Sequence, residues 1–236
     1  MPTLHAKAAM RLNAARGFIE EGFLDAAEVI GVGTGSTITT LIEMLPDDVI
    51  RSKTFAASSL DTLLKLKRRG AKLLEPSGVD EFDVYVDGAD AYDDELNLVK
   101  GGGAAHFREK VMALQSKRFI VVADETKYSV NLLKLPIPIE VHPIALPFVL
   151  RELKKLGLEA RVREAVGGKW GPVVSDTGGV LVDIDARSWQ GSLDQLHQAL
   201  KLTPGVVETG LFLRMAEAVV VGKVAGYSVL RRRSMG

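Results

Sequence analysis

The chain has 236 residues, enough for one large domain or two modest ones. Its 30 Lys and Arg side chains balance 30 Asp and Glu, which removes any bulk electrostatic argument for nucleic acid or an acidic membrane; the absence of cysteine excludes a thiol nucleophile, a disulfide framework and thiolate metal ligands. The first residues lack the continuous apolar core of a signal peptide and no apolar run reaches membrane-spanning length, so the expectation is a soluble, cytoplasmic protein with neither nucleic acid nor membrane as partner.

Leu4, Ala8, Leu12, Ala15 and Ile19 recur at helical spacing, and Gly22 is a stop signal. Lys7 lies on this helix, where a solvated position is the plain reading. Glu28–Val32 is a short strand that runs into Gly31-Val-Gly-Thr-Gly-Ser-Thr37 and then a helix to about Leu45. Strand, glycine-rich loop and helix form a phosphate-binding pattern in general form, because free amides and the helix dipole favour an anion at the helix start. The dinucleotide fingerprint fails for want of a glycine at Ser36, and the nucleotide P-loop fails for want of a Gly-Lys pair. Thr34, Ser36 and Thr37 offer hydroxyls beside the loop amides, which suits a small phosphorylated or polyhydroxylated ligand. Ser36 or Thr37 serves equally as a helix N-cap, and the two roles are compatible.

Thr54–Ala57 is the second strand, ending at Ser58-Ser59 where a nicotinamide-binding fold would carry an acid. A helix follows over Leu60–Arg69, then a third strand at Lys72–Leu74. The stretch from Asp83 to Lys110, DVYVDGADAYDDELNLVKGGGAAHFREK, is the densest in chemistry. A strand at Asp83–Val86 would put Asp87 and Asp90 beyond its carboxyl end, where ligands sit in open α/β sheets. Lys100, a triple glycine and a helix from about Ala104 carrying Glu109 complete a set that can converge on one small ligand. Three adjacent glycines carry a large entropic cost and call for a reason, either close backbone approach to a ligand or a left-handed turn. Arg118–Ala123 is an apolar, buried strand ending at Asp124-Glu-Thr-Lys127.

The pattern changes near Val130. Pro136–Pro143 alternates but is proline-rich, which favours an edge strand or connector over a central strand. A helix at Leu146–Leu156, a strand at Glu159–Glu164, a hairpin at Val173–Asp185 through Asp176-Thr-Gly-Gly179, a helix at Ser192–Leu202 and strands at Val206–Phe212 and Ala218–Val221 follow. The fold class is α/β: a mostly parallel Rossmann-like sheet with helices on both faces, plus a smaller ferredoxin-like α+β domain inserted near the C-terminus. Residues 1–130 and 206–236 are assigned to the main domain and 131–205 to the small one.

In order along the chain stand GVGTGST (31–37), DGAD with LNLVKGGGAAHFREK (87–110), DETK (124–127), LPIPIEVHP (135–143), GPVVSDTGGVLVDID (171–185) and GVVETGLF (205–212). Together they resemble the ribose-5-phosphate isomerases of type A over nearly the whole chain, and DGAD…KGGG…REK is the most specific part. The resemblance implies a metal-free and cofactor-free aldose–ketose isomerisation between ribose 5-phosphate and ribulose 5-phosphate in the non-oxidative pentose phosphate pathway, by a homodimer or homotetramer. It implies that Glu109 is the base moving a proton between C1 and C2 through a cis-enediolate. Asp87 is then the acid that helps open the ring and manage hydroxyl protons, Asp90 holds substrate hydroxyls, and Lys100 offsets charge on the enediolate oxygen. Thr34, Gly35, Ser36, Thr37 and Gly101 contact the sugar, and Lys127 lies near the phosphate. Lys7 is the candidate for an N-terminal lysine at the phosphate, across a longer spacing to the loop than is usual. Ala91, His106, Thr126 and Lys134 depart from the family pattern, and His106, one turn before Glu109, is placed to perturb it.

Three rival readings find less support. Glucosamine-6-phosphate deaminases and 6-phosphogluconolactonases carry histidine-bearing motifs absent here. A sugar-phosphate sensor would need a DNA-binding segment before residue 30. A two-carboxylate glycosidase does not explain the phosphate-type loop. The histidines His5, His106, His142 and His197 are scattered, without metal-ligand spacing.

Overall fold

The computed structural model describes residues 2–167 and 170–232. Thr3 opens the first helix, α1 (Leu4–Glu20), by accepting a hydrogen bond from the Ala6 N–H at 3.2 Å. There follow β1 (Val29–Val32), α2 (Ser36–Met44), α3 (Asp47–Ser52), β2 (Thr54–Ala57), α4 (Leu60–Arg68), β3 (Lys72–Leu74) and β4 (Phe82–Asp87). Two very short strands, β5 (Ala91–Tyr92) and β6 (Leu98–Val99), precede α5 (His106–Leu114) and β7 (Ser116–Asp124). Next come β8 (Pro136–Val141), α6 (Leu146–Lys155), β9 (Glu159–Val162), β10 (Val180–Asp185), α7 (Leu193–Lys201) and β11 (Val206–Thr209). The described chain closes with β12 (Leu211–Phe212), β13 (Ala218–Lys223) and β14 (Gly226–Arg231).

Seven strands form the main sheet in the order β14-β13-β7-β4-β1-β2-β3, all parallel except β14, which pairs antiparallel with β13. Alternation along the strands sorts side chains onto its two faces. Val84, Val86, Val122 and Val220 meet α1, α2 and α4 through Phe18, Ile38, Leu41 and Leu66. Tyr85, Phe119, Val121 and Val219 face Met112 of α5 together with Leu98 and Phe212. From β1 the chain proceeds outward through β2 and β3, while β4 returns to the opposite side of β1. The gap between the carboxyl ends of β1 and β4 is therefore the switch point of the sheet, where such folds hold ligands. Asp87 ends β4 there, as the strand reading of Asp83–Val86 requires.

A second, antiparallel sheet has the order β11-β8-β10-β9, with Ile137, Ile139, Val182 and Ile184 packed on Val149 and Leu153 of α6 and Leu196 and Leu200 of α7. The succession β8-α6-β9-β10-α7-β11 is the βαββαβ arrangement expected of a ferredoxin-like unit. A three-stranded sheet, β12-β6-β5, bridges the two larger sheets.

Some expectations change. Within the Pro136–Pro143 segment, Pro136–Val141 is an interior strand, paired with β10 on one side and β11 on the other. It tolerates its prolines because they sit at its start, where β11 does not reach: β11 pairs only with Ile139, Glu140 and Val141, and beyond it the Gly210 N–H donates to the Pro138 carbonyl at 2.6 Å. Val206–Phe212 is not one strand. Its first four residues belong to the smaller sheet and its last two to the bridging sheet, so the chain leaves the smaller sheet at Gly210 and not at residue 206. Residues 233–236, assigned to the main domain, lie outside the described residues. The expected hairpin closes through Ser175 N–H to Gly179 C=O at 2.8 Å, Leu181 N–H to Val173 C=O at 3.1 Å and the antiparallel pairing of Val174 with Val180, though only its second arm, β10, extends into a strand. Helix α3 went unforeseen although its signature was present, Pro46 before an acidic first turn of Asp47 and Asp48. Among the described residues no helix is long and apolar enough to cross a membrane.

Candidate active site

The β1 and β4 loops interlock. Gly33 N–H donates to the Val86 carbonyl at 2.8 Å, and the next amide, Thr34 N–H, donates to Asp87 Oδ1 at 3.1 Å. A Cβ on Gly33 would lie 1.8 Å from that oxygen, so only glycine lets the loop pass the carboxylate. Asp87 is fully buried and accepts further from Gly88 N–H at 2.7 Å and from the Tyr85 hydroxyl at 2.6 Å. Tyr85 stands two residues earlier on the same strand face. Burial, then the Asp87 charge, push its phenol well above the ordinary range, which keeps it a donor. Ser59, N-cap of α4, donates to Thr34 Oγ1 at 2.9 Å and ties the end of β2 to the same loop. Sequence reasoning passed over Tyr85 and Ser59 as site supports; the period of two that puts Tyr85 beside Asp87 was the available signal.

Lys100 is buried between two carboxylates, with its Nζ 2.8 Å from Asp87 Oδ2, 3.0 Å from Glu109 Oε2 and 2.7 Å from the Gly88 carbonyl. Burial alone would lower its proton affinity, but Asp87 and then Glu109 reverse the sign, so it is held above the ordinary lysine range. Glu109 lies in the first turn of α5, and its carboxyl is pushed up to about 8, chiefly by burial and then by the Asp87 charge, against the pull of Lys100. Its Oε2 has the ion pair but no aligned hydrogen bond. His106 does not act on it as expected. Buried and lowered to about 4 by desolvation, His106 is neutral near pH 7, with Nε2 3.3 Å from the Glu208 carbonyl. The charges that set Glu109 are those of Asp87, Lys100 and Asp90.

A cleft of about 120 Å³ opens above this group, lined by Thr34–Thr37, Gly88–Asp90, Lys100–Gly103, Glu109, Asp124 and Lys127. That is below the roughly 300–1,000 Å³ of sites for drug-sized ligands, and it suits a small molecule. At one end α2 begins. Its N-cap is Gly35, at φ +118°, with no side-chain capping bond, so neither Ser36 nor Thr37 is spent on capping and the first amides of the helix are free to meet an anion. Lys127 lines the same cleft. Asp90 enters it with Oδ2 accepting from Gly102 N–H at 2.7 Å. Of the expected site residues, the structure brings Thr34, Gly35, Ser36, Thr37, Asp90, Lys100, Gly101, Glu109 and Lys127 to this one surface. Asp87 lies directly behind Lys100. Lys7 is exposed on α1 and does not line the cleft. Among the described residues no group of three or more His, Asp or Glu side chains could hold a metal ion.

One end of the cleft is built to receive negative charge, and the other holds a carboxyl poised to exchange a proton beside a fixed cation. The fold and site together define an acid–base enzyme of the α/β class for a small anionic substrate. The family model for ribose 5-phosphate isomerase A (phosphoriboisomerase A) matches residues 54–226. A ribose-5-phosphate isomerase A of Acidithiobacillus ferrooxidans is 34% identical over 95% of this chain and 96% of its own length. A D-ribose-5-phosphate isomerase solved in complex with phospho-erythronic acid superposes with a TM-score of 0.85, at 35% identity over 94% of this chain and 98% of its own. The ribose 5-phosphate isomerase A of Methanocaldococcus jannaschii also gives 0.85, at 31% identity over 95% and 99%. The chain belongs to the ribose 5-phosphate isomerase A family. It is an aldose–ketose isomerase, interconverting D-ribose 5-phosphate and D-ribulose 5-phosphate.

Proposed function

We propose that Glu109 is the base of this isomerisation. It takes the C2 proton of open-chain ribose 5-phosphate and returns it to C1, by way of a cis-enediolate. The observation that carries this reading is the position of the buried Glu109 carboxyl, on the cleft wall, 3.0 Å from the Lys100 ammonium and without an aligned hydrogen bond at Oε2, where burial raises its proton affinity. A base with affinity close to the working pH accepts and releases a proton with least penalty, and the adjacent cation offsets charge as it develops on the substrate oxygen. Asp90 meets the sugar hydroxyls, and Thr34 and Gly101 line the sugar. The phosphate sits against the amides and hydroxyls of Gly35, Ser36 and Thr37 with Lys127 opposite. The relative solved in complex with phospho-erythronic acid, a phosphorylated four-carbon acid, supports a small phosphorylated ligand. Asp87, saturated by Tyr85, Thr34, Gly88 and Lys100, holds the lysine and the loop in register. Lys7 has no part in the phosphate site of a single chain.

The division into a main domain and a small one is part of the same proposal, with its second crossing moved to Gly210. So is a cytoplasmic setting, which a chain without cysteine suits, and self-association as a homodimer or homotetramer, for which exposed Ile144, Val166 and Trp170 offer apolar surface. The deciding experiment is steady-state isomerisation of ribose 5-phosphate by wild type and Glu109→Gln. Loss of general-base catalysis lowers kcat by ~10² to 10⁴ with KM nearly unchanged, because the interaction is made in the transition state. A variant that keeps more than about a tenth of the wild-type kcat removes Glu109 from the role.

A further inference from the structure

The lysine–glycine loop is the least self-sufficient part of the site. Three adjacent glycines give it the most backbone freedom to lose, and its own contacts are few: Ala104 N–H to Gly101 C=O at 3.1 Å and Gly102 N–H to Asp90 at 2.7 Å. What holds it comes largely from the second sheet. Lys100 N–H donates to the Gly210 carbonyl at 2.8 Å, and Gly210 is itself pinned to Pro138 of β8. Gly101 takes φ +113°, and a Cβ there would lie 2.9 Å from Pro138 Cβ on one side and 2.9 Å from His106 Nδ1 on another. The Gly101 carbonyl then accepts from Arg163 Nη1 at 2.7 Å, with the Gly102 carbonyl 3.4 Å from the same nitrogen.

Arg163 is built for this contact. It follows β9 directly, and its backbone is tied on both sides, N–H to Leu181 C=O at 2.8 Å and C=O from Val173 N–H at 2.7 Å. Its guanidinium makes a two-pronged pair with Asp183 of β10, through Nε at 2.8 Å and through Nη2. That pair leaves Nη1 aimed at the glycine loop, an arrangement that a planar fork allows and an ammonium does not. Gly102, whose carbonyl Arg163 approaches, is the residue whose N–H fixes Asp90, and Gly101 follows directly on Lys100.

We propose that Arg163 is a positioning residue of the isomerase site: through the Gly101 and Gly102 carbonyls it sets the loop that orients Lys100 and Asp90. The smaller sheet is thereby a working part of the active site and not an assembly module alone. This rests on the isomerase reading above, and the two are separable. Wild-type turnover of ribose 5-phosphate that collapses in Glu109→Gln establishes the site without reference to Arg163. In the same assay, Arg163→Ala lowers kcat by on the order of 10²-fold, the cost of a small misplacement of catalytic groups, while KM moves far less. Because part of the effect passes through Asp90, the same substitution does less in an Asp90→Asn background, the Lys100 share remaining, whereas a generally loosened fold would add its full effect there. Arg163→Lys, which keeps the charge and one donor, recovers part of the loss; it also takes the place of Arg163→Ala if that variant does not fold. A kcat for Arg163→Ala within about twofold of wild type, full additivity with Asp90→Asn, or a loss matched by the fraction unfolded overturns the proposal. So does absence of wild-type turnover, which overturns the isomerase reading with it.

Discussion

At the scale of single residues, the site is one cation shared by two carboxylates, buried at the floor of the cleft. Lys100 lies within ion-pair distance of both Asp87 and Glu109, and the geometry leaves Glu109 the less satisfied of the two. Asp87 has four donors; Glu109 has one ion pair and no aligned hydrogen bond. The burden of the extra negative charge therefore falls on Glu109. The sign of the pH response follows. Glu109 must be ionised to act as base in the free enzyme, so kcat/KM rises with pH through the Glu109 value, raised to about 8, well above the ordinary glutamate range. Asp87→Asn deletes the largest charge acting to raise that value. The acid limb of the kcat/KM profile then moves to lower pH even as the maximal rate falls. A limb that stays in place or moves up shows that Asp87 does not set the Glu109 proton affinity.

At the scale of elements, each piece of the site depends on how a helix or strand ends. Helix α2 starts on an uncapped glycine and leaves its amides to the cleft, whereas α7, remote from the cleft, starts on a complete capping box: Ser192 Oγ accepts from Gln195 N–H at 3.2 Å and Gln195 Oε1 accepts from Ser192 N–H at 2.8 Å. The contrast separates a helix start used for binding from one used for stability. Ser192→Ala accordingly costs about 1 kcal/mol in denaturant unfolding and leaves kcat and KM unchanged. A shift in kinetics would mean that the smaller sheet transmits its helix positions to the cleft. The capping role of Ser192 was legible in the sequence, since Ser-x-x-Gln before an apolar period has one good local solution. The interior position of β8 was not, because prolines argue against a central strand unless the neighbour stops short of them, and where β11 stops is decided by Gly210, some seventy residues on.

At the scale of the whole molecule, the two main sheets are joined through a polar contact that is itself buried. Lys110, the residue after Glu109, turns the other way on α5 and donates to Glu208 Oε1 at 2.8 Å and to the Thr209 carbonyl at 2.7 Å, over the ring of Phe212. Burial pulls its ammonium down to about 8 against the support of Glu208. Removing one member of a buried pair leaves the other charged and unmatched, which typically costs ~3–5 kcal/mol. Lys110→Ala is expected near the lower end of that range, since Lys201 also reaches Glu208 at 3.0 Å. Because α5 carries Glu109 and β11 belongs to the smaller sheet, activity and the unfolding midpoint fall together. Unfolding that costs less than about 1 kcal/mol would show the contact to be replaceable by solvent.

The sequence by itself determined the parallel α/β sheet, the ferredoxin-like unit and the two loops that build the cleft. Those features rest on periodicities of two and 3.6 and on glycine, and such signals act within a few residues of chain. It also brought forward Asp87, Asp90, Lys100 and Glu109, because the family pattern lies within one continuous stretch. Only the tertiary structure decided which of those acids is saturated and which is left to raise its proton affinity, whether Ser36 and Thr37 are spent as caps, that Lys7 stays outside, and that Arg163 reaches the glycine loop. Each of these depends on what comes close across strands far apart in the chain. Desolvation, charge sharing and a guanidinium's reach are properties of that proximity, and no local spacing encodes them.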